Sequence, residues 1–81
     1  MPTPLDQDPR AARRAFGQRV RELREARGLS QEELRNAADV HTTAVSRMER
    51  GEREPRLTTI LRLARGLDVE PGELVNGLEQ A

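Results

Sequence analysis

The sequence predicts an all-α domain of five short helices, on three observations. The apolar residues are mostly Leu, Ala and Val, with one aromatic, Phe16, and strong helix formers supply much of the rest. Apolar positions recur at spacings of three and four, the period of a single helical face, and no stretch alternates as a strand does. Start and stop signals punctuate the chain: Asp8-Pro9 and Ser30 open helices, while Gly28 and Gly51 close them.

Residues 1–8 hold two prolines and no apolar pattern, so a flexible tail is expected there. Residues 9–81 are expected to form the domain. The first helix starts at Pro9, an N1 proline behind the N-cap acceptor Asp8, and runs to about Arg27. Its stripe is Ala12, Phe16, Val20 and Leu23. The second opens with a capping box in which Ser30 and Glu33 each satisfy the other's backbone N–H. Leu34, Ala37 and Ala38 face inward, and Asp39 takes a left-handed turn. The third helix spans about Thr42 to Arg50 with His41 at the N-cap, and Val45 and Met48 point into the core. The fourth covers about Leu57 to Gly66 and buries Leu57, Ile60, Leu61 and Ala64. The fifth starts at Pro71 and carries Leu74, Val75 and Leu78.

Eighty-one residues make one small domain with a modest core. There is no cysteine, hence no disulfide or thiolate site, and a lone histidine, His41, does not build a metal centre. No metal and no cofactor are expected. No apolar run approaches a membrane span, and residues 1–10 lack the apolar core of a secretory signal, so a cytoplasmic protein is expected. No nucleophile with an activating neighbour and no phosphate-cradling glycine loop is present, so an enzyme is not expected.

The net charge is zero, but its distribution is uneven: −2 over residues 1–9, +4 over 10–50 and −2 over 51–81. All fourteen basic residues are arginine. Arginine offers a planar fork suited to phosphates and guanine edges, although a GC-rich coding genome is the simpler explanation of the bias. The basic stretch includes Leu29–Arg50, which reads as two short helices joined by a tight turn. The second of these has an apolar back, Val45 and Met48, and a small polar front, a shape suited to the DNA major groove.

From Phe16 to Leu78 the residues fall into a longer register. It comprises GQRVRELREARGLSQEEL at 17–34, Val40, VSRMERG at 45–51, Pro55, and the LRLARGLDVEPGEL run at 61–74. In this register the chain resembles the phage repressor/Cro-like (xenobiotic-response-element class) helix-turn-helix family. The resemblance implies a lambda-repressor-like fold, with the motif at the second and third helices, and binding of double-stranded DNA as a homodimer on a palindromic operator. The chain departs from the family's usual Ala at Arg35, which must reach outward or else splay the second and third helices slightly, and from its usual Gly at Asp39 and often at Asp68. Ser or Thr is common where His41 stands, and Ser near Arg56.

On matching positions, the resemblance implies base contacts from Thr42, Thr43, Ser46 and Arg47, Arg47 being the only long donor on that front. It implies a phosphate on Gln31 at the start of the second helix. Arg19, Arg50 and Arg53 are further phosphate candidates, and His41 either caps the third helix or donates to phosphate. Arg24 and Glu49 match a buried structural ion pair. Val69, Pro71 and Leu78 are the expected dimer contacts, with Leu74 closing the monomer core. A competing expectation is a module whose main partner is another protein, as in an antitoxin or adaptor; the zero net charge and acidic ends motivate it.

Overall fold

The chain is described from a computed structural model that covers residues 2–41 and 43–81. Six α-helices follow in order: α1 Pro4–Gln7, α2 Pro9–Ala26, α3 Gln31–Ala38, α4 Ala44–Glu49, α5 Leu57–Leu67 and α6 Pro71–Val75. A single 3₁₀ turn, Leu78–Gln80, ends the chain, and no strand is present among the described residues.

The local chemistry explains most boundaries. Asp8 accepts from the Arg10 N–H at 3.1 Å and Pro9 takes the first turn of α2. Ser30 and Glu33 form both halves of a capping box, at 3.0 and 2.8 Å, which launches α3. Asp39 and Asp68 end α3 and α5 in the left-handed conformation, each at φ 56°. Aspartate is one of the few side chains that enters this region at modest cost.

Several expectations are corrected. Residues Pro4–Gln7, inside the expected flexible tail, form a helical turn. Thr3 and Asp6 cap each other across it and Pro4 sits at N1, a start signal that two prolines obscured. The helix expected from Thr42 begins at Ala44. Its N-cap residue, Thr43, has φ −96° and ψ −3°, too helical for its hydroxyl to reach the next N–H groups, and its side chain makes no capping hydrogen bond. The turn is closed by the His41 carbonyl, which accepts from Ala44 N–H at 3.0 Å, and the N-cap position falls on Thr43 instead of His41. The last helix stops at Val75, because Gly77 adopts φ +77° and starts the 3₁₀ turn that carries Leu78. Finally, α5 is rotated from the expected register. Leu63, Ala64 and Leu67 are buried, whereas Leu57 is 71% and Leu61 46% exposed. Ala37, expected inward, is also exposed.

The core gathers Phe16 and Val20 of α2, Leu34 and Ala38 of α3, Val45 and Met48 of α4, Leu63 and Leu67 of α5 and Leu74 of α6. Two glycines set the spacing of the helices around it. A Cβ on Gly17 would lie 2.0 Å from the Met48 carbonyl oxygen, so α2 touches the C-terminal end of α4 backbone to backbone. A Cβ on Gly66 would lie 2.8 Å from the Ala38 nitrogen, where α5 meets the end of α3.

Candidate nucleic-acid interface

Helix α4 has two unlike sides. Ala44, Val45 and Met48 are buried against the core. Thr43, Arg47 and Arg50 are exposed on the opposite side, with Ser46 half-buried beside them. These outward positions are three and four residues apart, so they form one face of the helix. Thr42, also expected on this face, lies outside the described residues.

A charged cluster beneath α4 fixes its position. The Arg24 guanidinium grips the Glu49 carboxylate through two bonds, Nε–Oε2 at 2.7 Å and Nη2–Oε1 at 3.1 Å. The pair is nearly dry, with side-chain exposures of 13% and 4%. The remaining Arg24 Nη1 donates to the Leu29 carbonyl at 2.8 Å, and Gln31 Nε2 donates to Glu49 Oε1 at 3.0 Å. The Glu49 carboxylate raises the Arg24 pKa above its ordinary value, chiefly by hydrogen bonding. One carboxylate therefore ties together α2, the start of α3 and the end of α4. Gln31 has one amide hydrogen on Glu49 at the α3 N-terminus.

The turn between α3 and α4 is held from the other side. The last carbonyls of a helix lack partners within it. Here Arg65 donates to the Ala38 carbonyl at 3.3 Å and Arg62 to the Asp39 carbonyl at 3.2 Å. Both arginines belong to α5. They read as plain surface residues in the sequence. The available signal was a helix ending on aspartate, with bare carbonyls to satisfy.

The remaining arginines separate into two groups. Arg10 and Arg14 face Asp8, Arg21 faces Glu25, Arg27 faces Asp68, and Arg35 reaches outward to Glu32. Arg19 donates to the carbonyls of Glu73 and Asn76, at 3.3 and 2.6 Å. A helix-end carbonyl pair more than fifty residues away thus holds one nitrogen of the guanidinium, which was expected at a phosphate. Arg50 is also engaged. Its guanidinium binds both oxygens of Glu52 and donates from Nη1 to Ser46 Oγ at 2.7 Å. The hydrogen bond from Arg50 lowers the Glu52 pKa below the ordinary carboxylate value.

Among the described residues, four arginines make no hydrogen bond or ion pair: Arg13, Arg47, Arg53 and Arg56. Arg47 stands on the outward face of α4. Arg53 and Arg56 line a shallow depression of about 560 Å³ together with His41, Thr58 and Arg62, at the N-terminal end of α5.

The expected dimer contacts divide differently. Val69 and Leu78 pack against the core, and Pro71 opens α6, half-buried. The large apolar side chains left in solvent on these elements are Leu57, Leu61 and Val75, the last 39% exposed. Among the described residues no cluster could hold a metal ion, and no helix is long and apolar enough to cross a membrane.

A two-sided helix set by a short turn beneath exposed, unpaired arginines defines a DNA-binding regulator of the helix-turn-helix class. Comparison with known proteins places the chain within that class. Residues 20–74 match the helix-turn-helix family, and the chain belongs to it. It is 39% identical over 62 residues to the control protein C.BamHI of Bacillus amyloliquefaciens, covering 75% of this chain and 76% of that one. The phage CTXphi transcriptional repressor RstR of Vibrio cholerae is 36% identical over 64 residues, covering 79% of this chain and 58% of RstR. Among solved structures, the restriction–modification controller protein C.AhdI of Aeromonas hydrophila aligns with a TM-score of 0.74 at 50% identity. That alignment covers 76% of this chain and 94% of the controller.

Proposed function

We propose that this protein is a cytoplasmic transcriptional regulator that occupies a palindromic operator as a homodimer, with α4 of each copy in a major groove. The observation that carries the reading is the distribution of unpaired charge. Most arginines are held by internal partners, while Arg47 on α4 and Arg53 and Arg56 beside it remain available. Arg47 is the long base-reading donor, and Thr42, Thr43 and Ser46 supply short-range contacts. Gln31, Arg53, Arg56 and His41 face phosphates. The likeness to proteins named as controllers and a repressor supports regulation as the outcome of binding.

One domain spans too little groove for a long site. Two copies with their α4 helices about 34 Å apart read successive turns of one face. The apolar residues left in solvent along α5 and α6, Leu57, Leu61 and Val75, support a second copy as the cover for that side. Leu61→Glu is expected to convert the dimer to a monomer without unfolding it. Sedimentation velocity reads the change, and an unchanged sedimentation coefficient would exclude Leu61 from the interface.

Selection from random duplex DNA, followed by titration in increasing salt, tests the function. The expected result is an inverted repeat and a log–log salt slope set by the phosphates neutralised. Absence of any enriched sequence would reject the reading. Arg47→Ala is expected to cost about 1–3 kcal/mol of discrimination at one base pair of each half-site. Arg53→Ala is expected to weaken all duplexes alike and flatten the salt slope by about one per copy.

A further inference from the structure

Glu52 is an acid placed one residue beyond Gly51, beside the face proposed to meet a polyanion. Repulsion from phosphates makes that position costly, unless the carboxylate serves something else. Its two oxygens hold the Nε and Nη2 sides of Arg50, and the third side of the same guanidinium donates to Ser46 Oγ at 2.7 Å. Ser46 lies one turn before Arg50, on the face it shares with Thr43 and Arg47.

We propose that Glu52 and Arg50 act as positioning residues that make the Ser46 hydroxyl a hydrogen-bond donor toward the base it meets. The inference rests on the operator reading above. A serine hydroxyl has one proton and two lone pairs, and an arginine has only donors. With Arg50 donating to one lone pair, the Ser46 proton must point elsewhere. A cation beside the oxygen also disfavours a second donor, such as an exocyclic amino group. The chain from Glu52 through Arg50 to Ser46 runs in one direction, so each bond polarises the next. Ser46 then favours acceptor edges, guanine O6 and N7, adenine N7 or thymine O4, and disfavours the cytosine amino group. Arg50 meanwhile is withheld from phosphate. The protein gives up some affinity for all DNA and gains selectivity at one position.

The test uses the full chain with Ser46→Ala, Glu52→Ala and both together, each taken through enrichment on random duplexes and salt titration on the preferred site. The parent is expected to prefer an acceptor-bearing base over cytosine at one position by about fivefold, the worth of one hydrogen bond. Ser46→Ala and Glu52→Ala should each flatten that same position, and the double variant should flatten it no further. Glu52→Ala should in addition bind every duplex more tightly and steepen the salt slope by about one per copy, because the released Arg50 reaches a phosphate.

Preference that survives either substitution would overturn the proposal while leaving the operator reading intact. Ser46→Ala without effect would mean that the hydroxyl proton goes to a carbonyl one turn back, the ordinary habit of a helical serine, and would overturn it too. A parent protein with no preferred sequence would reject the operator reading and this proposal with it.

Discussion

Glu49→Ala is expected to lower the stability of the domain by about 3–5 kcal/mol, the usual cost of removing one partner from a desolvated ion pair. The substitution leaves the Arg24 guanidinium, 13% exposed, with only the Leu29 carbonyl for a partner, and it releases Gln31 at the head of α3. A chain of this length holds about 4–12 kcal/mol in total, so the variant should be partly unfolded near physiological temperature. Urea unfolding reads the loss, and a gel-shift titration should show binding falling with the folded fraction. Replacing both Arg24 and Glu49 by leucine should recover most of the stability, since the penalty lies in the orphaned charge. A single substitution costing under about 1 kcal/mol would show that water reaches the pair and screens it.

The second large effect is expected at Gly17. A methyl there would sit 2.0 Å from the Met48 carbonyl oxygen and 2.8 Å from that of Glu49, both backbone atoms that cannot rotate aside. Gly17→Ala must push α2 and α4 apart. The expected loss is about 3 kcal/mol, at the upper end for overpacking, and it falls on the helix proposed to read bases. Operator affinity should therefore drop even for molecules that remain folded. Gly72→Ala is the matched control. Its methyl would meet only the Asn76 side chain, at 3.6 Å, inside α6. That change should be neutral or stabilising by up to about 1 kcal/mol, the ordinary helix preference for alanine. Equal effects of the two substitutions in urea titrations would reject the backbone contact at Gly17.

Features encoded locally were legible in the sequence. The Ser30–Glu33 capping box, the Asp8-Pro9 start, the turn at Asp39 and the inward Val45 and Met48 depend on neighbours within a few residues. The family register added the fold and the Arg24–Glu49 pair, which joins residues twenty-five apart. Helix α5 shows where local reading fails. Leu57, Ile60, Leu61 and Ala64 obey a helical stripe, but Ile60, Leu63, Ala64 and Leu67 obey it equally. With leucine on both sides of the helix, only docking against α3 decides, and it buries Leu63, Ala64 and Leu67 with Ile60 half-buried beside them. The arginines fail in the same way. Nothing near Arg19 announces that carbonyls of Glu73 and Asn76 will take its guanidinium. Nothing near Arg65 announces Ala38. Fourteen identical cations are interchangeable in the chain and become distinct only when the fold assigns their neighbours.

That assignment bears on occupancy in the cell. With its acids and bases balanced overall and seven of its fourteen guanidinium groups set against carboxylates, the molecule should project only a modest field beyond the Debye length. It is drawn only weakly to arbitrary stretches of chromosome, where binding is almost wholly ionic. A modest cellular stock should then stay largely unsequestered, and occupancy of the proposed operator should follow protein concentration closely instead of being buffered by the genome.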